Sequence, residues 1–383
     1  GSEMCIRDSN TRVLAKRSVV RLGLSSTGPA CCQTVQSSLC AMTSEEFKVE
    51  IDVSNPGITK EEWYDLRGDG KKQYYLKHWC PTDSTNKLIA PKATIVFVHG
   101  FADYCDRYTG VFPVFTDRGY QVSGFDQLGF GRTWHESPDR AKTHGWTTWP
   151  DQFHDVACML KMMRSRLDKQ WGTDQVPLFL MGHSMGGGIS SGFFTREPTS
   201  PPAEDVKRLV SGVLLLSPWL DIHFPIPTSL SIPIVRNVLH WLPRIMLPLG
   251  PSASDLSRNP NVVRDVKMNP MSSCYVYVRC LYGPLSGGPK IVTEDYKRWP
   301  EWLPLLICHG TGDKVTRWDC SKQLYENLKG LGRSVKLMSF KGLYHEALFE
   351  PGQDKVLFGR ALVEYVFLLC AGGLVGANVH SVG

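Results

Sequence analysis

Gly182-His183-Ser184-Met185-Gly186 stands between an apolar run, Val176-Pro177-Leu178-Phe179-Leu180-Met181, and a stretch that opens a helix with Gly187-Gly188. In that context a G-x-S-x-G pentapeptide makes the sharp strand-to-helix turn that exposes a serine hydroxyl. Gly182 and Gly186 lack a Cβ, so the backbone can fold tightly around Ser184. The helix that follows points its free N–H groups at the place where negative charge would develop. A serine hydroxyl is a weak nucleophile without a base, and the base needs an orienting acid. For this turn the expected chain order is Ser, then Asp or Glu, then His. Asp313 lies in His309-Gly310-Thr311-Gly312-Asp313, just past an apolar run that ends at Cys308, and His345 lies in Gly342-Leu343-Tyr344-His345-Glu346. Ser184 is expected as nucleophile, Asp313 as acid and His345 as base. Asp221, one strand earlier, competes as the acid. His99, His183 and His309 are weaker candidates for the base.

An oxyanion formed at Ser184 needs two backbone donors, one after the nucleophile and one from an early loop. His99-Gly100-Phe101-Ala102 follows a short β-branched run, so the N–H groups of Phe101 and Met185 are assigned that role.

Positioning these groups requires a sheet whose strands end on one edge. Thr94–Val98, Tyr120–Asp126, Val176–Met181, Val210–Leu216, Leu303–Cys308 and Ser334–Phe340 read as strands, and so does Tyr74–Trp79. Their continuous apolar character suits strands buried on both faces. Helical periods at about 149–168 and 354–369 alternate with them, which implies parallel strands joined by right-handed crossovers. Active sites of such sheets lie beyond the carboxyl ends of the strands. Between Pro218 and about residue 270 the alternation stops in a stretch crowded with proline and apolar side chains. Long insertions of this kind usually carry function.

Bulk properties narrow the field. Hydrophobic residues make 42% and charged residues 21% of the chain, as in ordinary globular proteins. Three of the six net positive charges fall in residues 1–41, so no basic stripe argues for nucleic acid. The 12 cysteines are irregularly spaced, with no C-x-x-C and no N-x-[ST] sequon in the chain. Free thiols in a reducing, cytoplasmic compartment are expected, with no zinc site. Residues 1–41 are rich in Ser and Arg and lack the apolar core of a secretory signal. Translation starting at Met42 is the favoured reading, with a transit peptide or a disordered leader as alternatives. Tyr365–Val379 is apolar but too short to span a bilayer, for which about 20 residues are needed. A core helix with a loose tail is expected there, and a membrane-contacting tail is the alternative.

The ordered set of motifs resembles the monoacylglycerol lipase family of α/β-hydrolases, the fungal branch above all, with a serine aminopeptidase S33-like character. It consists of His99-Gly100-Phe101-Ala102-Asp103-Tyr104, Asp126-Gln127-Leu128-Gly129-Phe130-Gly131-Arg132-Thr133, Gly182–Gly188, Ser217-Pro218, His309–Asp313 and Tyr344-His345-Glu346, and the likeness covers about residues 45–368. The resemblance implies an α/β fold of the α/β-hydrolase type, with a mostly parallel central sheet flanked by helices and an inserted helical cap. The implied organisation is a leader (1–41), a first core part (43–217), a cap (218–300), a second core part (301–370) and a tail (371–383). It implies cleavage of monoacylglycerol, or a similar single-chain lipid ester, to fatty acid and glycerol without metal or organic cofactor. It also implies that the cap touches a membrane or lipid droplet. Trp219, Leu220, Ile232, Leu239 and Leu242 are the cap residues expected at the acyl chain. A lysophospholipase or broad carboxylesterase would use the same triad. A non-catalytic relative would lack one of its members, and a haloalkane or epoxide hydrolase would need an aspartate at position 184. Residues 272–290 depart from the family pattern. Thr316 falls where some relatives carry a cysteine.

Overall fold

The computed structural model describes residues 53–196, 204–223, 228–242, 244–248 and 250–372. The leader and residues 373–383 lie outside the described residues. The strands are β1 (Ile58–Tyr64), β2 (Tyr74–Cys80), β3 (Thr94–Val98), β4 (Gln121–Phe125), β5 (Leu178–His183), β6 (Gly212–Leu216), β7 (Met246–Pro248), β8 (Tyr275–Tyr277), β9 (Leu305–Gly310) and β10 (Val335–Phe340). The longer helices are α1 (Trp149–Trp171), α2 (Met185–Thr195), α3 (Thr228–Trp241), α4 (Pro260–Met268), α5 (Arg279–Thr293), α6 (Trp318–Gly330) and α7 (Gln353–Cys370).

Eight strands form one sheet in the order β1-β2-β4-β3-β5-β6-β9-β10, and β7 and β8 pair in a separate ribbon. The pairs β1–β2 and β2–β4 are antiparallel, and the other neighbours in the large sheet are parallel. The apolar runs make this possible because successive side chains of a strand point to opposite faces. Val96 and Val98 enter one core while Ile95 and Phe97 enter the other. Leu305 and Ile307 are divided from Leu306 and Cys308 in the same way. Both faces are therefore covered, as a parallel sheet requires.

β1 has no counterpart among the strands expected from sequence. Its Thr59-Lys60-Glu61 stretch is exposed. A polar edge strand gives no apolar run to read and resists edge-to-edge pairing. At α1 the signals are local: the Thr148 hydroxyl accepts the Asp151 N–H, Pro150 sits in the first turn, and Gly172 ends the helix at φ +103°. α7 ends at Cys370, with Tyr365 and Val366 buried. No helix among the described residues is long and apolar enough to cross a membrane.

The unusual segment at 272–290 becomes β8 and α5. α5 contains Pro284 and Pro289, residues that usually break a helix. Its glycines explain its place. A Cβ at Gly283 or Gly287 would strike the Trp149 ring, and one at Gly288 would strike the Trp219 and Leu220 carbonyls. Bare glycines thus let α5 lie directly on the core.

The same steric test separates two glycines experimentally. A Cβ at Gly186 would collide with the Val98 and His99 carbonyls, whereas Gly330 faces open space. Gly186→Ala is expected to lower stability by about 3 kcal/mol, and Gly330→Ala to change it by less than about 0.5 kcal/mol. Urea unfolding midpoints of the two variants check this.

Candidate active site

Ser184 occupies the corner between β5 and α2 at φ +53°, ψ −118°. This conformation costs a non-glycine residue of order 1–3 kcal/mol. Three backbone bonds hold it. The Ser184 N–H donates to Leu216 O at 2.9 Å, and its carbonyl accepts from Trp219 N at 2.8 Å and Gly188 N at 3.1 Å. A Cβ at Gly182 would collide with the Gly186 carbonyl, so the corner closes only with glycine at both positions. The corner thereby leans on β6 and on the start of the insertion.

Three side chains from separate loops converge here. His345 Nε2 lies 2.9 Å from Ser184 Oγ, and His345 Nδ1 lies 2.8 Å from Asp313 Oδ2. All three are buried. Asp313 follows β9 and His345 follows β10, so both stand at the carboxyl edge of the sheet beside the end of β5. Burial alone would raise the Asp313 carboxyl. The His345 charge and the hydrogen bonds from His309 and His345 outweigh it and hold the carboxyl well below its ordinary value. Burial works to lower the His345 imidazole, but the Asp313 charge and hydrogen bond prevail and raise it. Asp221 is placed elsewhere: its carbonyl accepts the Arg317 N–H at 3.0 Å and its Oδ2 lies 3.4 Å from Arg317.

Sequence reasoning treated Asp313 as bound to one imidazole, yet it accepts from five donors. The N–H groups of Val315 and Thr316 reach Oδ1 at 2.7 and 3.0 Å. Oδ2 receives the Thr316 hydroxyl at 2.8 Å and His309 Nε2 at 3.0 Å besides His345. The Thr316 hydroxyl also lies 3.2 Å from His345 Nδ1 and 3.1 Å from Ser217 O. His309 Nδ1 is engaged by Ser321 Oγ at 2.8 Å. The three-residue step from Asp313 to Thr316 was the available signal, because that spacing lets a turn fold a hydroxyl back onto a carboxylate.

A buried ionic cluster stands behind His345. Asp103 accepts from Arg107 at 2.9 Å, Tyr108 Oη at 2.7 Å, and the N–H groups of Tyr104 at 2.8 Å and Gly100 at 3.2 Å. Arg107 continues to Glu346 at 2.6 Å, the residue next to His345. His183 faces Tyr108 Oη at 3.2 Å and the His345 carbonyl at 3.4 Å. Burial and the nearby His345 charge push the His183 imidazole down to about 4. Nothing local in the sequence joins Arg107 to Glu346, which are 239 residues apart.

The loop after β3 lies over Ser184: a Cβ at Gly100 would be 3.2 Å from Ser184 Cβ. Ala102 takes φ +51° to make that approach. The N–H groups of Phe101 and Met185 donate to no backbone acceptor among the described residues. His99 braces the loop from below. Its Nε2 accepts the Gln127 N–H at 2.9 Å, which puts the ring proton on Nδ1, 2.8 Å from Gly100 O. Asp126 accepts the N–H groups of Cys105 and Arg132 at 2.7 and 2.6 Å. Burial pushes its carboxyl up to about 7. A Cβ at Gly131 would strike that carboxylate, which accounts for glycine in this turn.

Of the expected cap residues, Trp219 is buried beside Ser184, with its ring 6.4 Å from that of Phe101. Leu220 is fully buried in the core and Ile232 packs against that core from α3. Leu242 is 55% exposed, away from Ser184's buried surroundings. Leu239 belongs to α3, and its side chain lies outside the described residues.

Residues 89–352 match the hydrolase family described as "Serine aminopeptidase, S33". A Schizosaccharomyces pombe protein that bears the name monoglyceride lipase provisionally is 28% identical over 283 residues, covering 72% of this chain and 66% of that protein. The Saccharomyces cerevisiae monoglyceride lipase is 25% identical over 324 residues, covering 82% of this chain and 93% of that protein. A crystal structure of a soluble variant of the S. cerevisiae enzyme, in complex with a substrate analog, superposes with a TM-score of 0.68 at 19% identity, over 82% of this chain and 95% of that one. This chain, an α/β-hydrolase in fold, belongs to the serine aminopeptidase S33 family of hydrolases.

Proposed function

We propose that this chain is a serine ester hydrolase that cleaves monoacylglycerol to fatty acid and glycerol through an acyl-enzyme. The observation that carries the reading is the continuous relay of 2.9 and 2.8 Å from Ser184 through His345 to Asp313. Ser184 Oγ attacks the ester carbonyl while His345 Nε2 takes its proton. The oxyanion rests on the Phe101 and Met185 N–H groups. Each such donor is worth roughly 3–4 kcal/mol in acyl transfer. His345 returns the proton to the departing glycerol oxygen, leaving the acyl group on Ser184. Water activated by the same imidazole then releases the fatty acid.

The monoglyceride lipase names of the relatives support the substrate class. A single acyl chain gains about 0.8 kcal/mol for each CH₂ it buries, and the apolar insertion over the site suits that need. Leu230, Ile234, Leu242, Leu247 and Tyr275 are between 37% and 59% exposed on the cap. These exposed side chains support peripheral contact between the cap and a membrane or lipid droplet.

A fluorophosphonate probe should label the folded protein at Ser184 and leave Ser184→Ala unlabelled; labelling that survives the substitution would refute the nucleophile. Asp313→Asn should lower kcat by about 10⁴-fold with the fold retained by circular dichroism. In a panel of monoolein, diolein, lysophosphatidylcholine and an aminoacyl anilide, monoolein should give the highest kcat/KM. A preference for either of the last two would overturn the substrate assignment.

The pH profile has a definite sign. His345 must be neutral to accept the serine proton, and its pKa lies above the ordinary 6.5. Activity should therefore fall as pH drops, with the midpoint of the acid limb above 6.5. Thr316→Val removes one donor from Asp313, makes the carboxylate more basic and should move that limb further upward. It should lower kcat about tenfold with KM little changed. Thr316→Ser should restore both, as measured by kcat and KM across the pH range.

A further inference from the structure

Trp146 lies against two guanidinium groups at the foot of the cap. Arg279 Cζ is 4.1 Å from its ring centroid and Arg244 Cζ is 4.8 Å from it. The ribbon brings these arginines together. Met246 pairs with Tyr277, and the Val278 N–H donates to Ile245 O at 3.1 Å, so residues 244 and 279 flank one junction. Arg244 is exposed and Arg279 half-buried. Neither forms an ion pair with a carboxylate among the described residues, and Arg279 Nε is buried without a hydrogen-bond partner. Two cations that share one aromatic ring repel each other, and an anion between them reverses the sign of that interaction.

The surrounding chain offers no such anion. Residues 222–254 contain no Asp or Glu, and neither do residues 266–293. In a chain with 37 acidic residues these are long gaps, and both fall in the cap. The same two segments carry the exposed side chains Leu230, Ile234, Leu242, Leu247 and Tyr275. Leu242 and Leu247 stand on either side of Arg244 in the chain. A dissolved anion would satisfy the arginines and leave these apolar groups in water. A lipid surface with phosphate at its rim satisfies both.

We propose that Arg244 and Arg279, held by Trp146, bind the phosphate of an anionic phospholipid headgroup while the neighbouring apolar side chains of the cap dip into the surface. The inference deepens the reading of the cap as a lipid-contacting element and rests on it. Apolar burial supplies attachment to any bilayer, and the arginine pair supplies preference for negative charge and orients the cap on the surface.

Vesicle flotation of the full chain tests this, with phosphatidylcholine alone and with phosphatidylcholine containing a minority of phosphatidylglycerol. At low salt, binding to the anionic vesicles should be tighter by about 30-fold. Arg244→Gln with Arg279→Gln should abolish that difference and leave binding to phosphatidylcholine unchanged. Hydrolysis of a soluble short-chain ester by the double variant should match that of the parent chain. Equal binding of the parent chain to both vesicles, a preference that survives the double substitution, or displacement by millimolar inorganic phosphate would each overturn the assignment. Absence of binding to any vesicle would overturn it together with the cap reading, and ester turnover in the same samples reports separately on the Ser184 relay.

Discussion

The strained corner at Ser184 is the feature that the rest of the structure is arranged to hold. A non-glycine residue at φ +53° persists only when its surroundings leave it no alternative. Those surroundings come from three parts of the chain. β6 accepts the Ser184 N–H, the start of the insertion donates to its carbonyl, and the end of β3 fills the space that a Cβ at Gly186 would need. The two glycines are therefore steric requirements of packing between strands as well as local freedom for a turn. The strain aims the hydroxyl, since it lifts Ser184 off the end of β5 toward the loops after β9 and β10.

Charge is handled in two tiers around that corner. In the first, Asp313 is ionised while buried because five donors surround it. Such a carboxylate has little freedom to swing, so the imidazole it holds is fixed in both tautomer and orientation. In the second, the Asp103–Arg107–Glu346 cluster links the loop over Ser184 to the loop that carries His345. Buried ion pairs of this sort contribute little net stability, because desolvation offsets their attraction. Their effect here is geometric: the segment that holds Phe101 and the segment that holds His345 are tied to one guanidinium. Burial also holds His183 and His99 neutral next to the charged groups, which leaves His345 as the imidazole of this cluster whose pKa is raised.

The insertion between β6 and β9 follows a different logic. Its attachment to the core is made by bare glycines of α5 against Trp149 and the Trp219–Leu220 backbone, a contact of small surfaces rather than large side chains. It exposes several large apolar side chains, and residues 222–254 and 266–293 contain no carboxylate. A soluble surface normally intersperses both signs of charge.

Much of this was legible in the amino-acid sequence. The strands at Thr94–Val98 and Leu305–Gly310 announced themselves as apolar runs because both of their faces are buried, and the G-x-S-x-G turn announced itself because sterics admit only glycine at two of its positions. Chain order, together with the strand that ends at Cys308 and the glycine turn before Asp313, then favoured Ser184, Asp313 and His345 over Asp221 and the other histidines. What stayed hidden depends on partners far away in the chain. β1 is a polar edge strand and has no periodic signal of burial. Asp103, Arg107 and Glu346 look like ordinary surface charges until the fold buries them against one another. Proline and glycine in α5 argue locally against a helix, and only the close approach of Trp149 explains why the helix forms there. The sequence by itself determined the local backbone and the chemical types available. The tertiary structure decided which buried groups share a proton or a charge, because those couplings fall off within a few ångströms and no residue spacing along the chain encodes such distances.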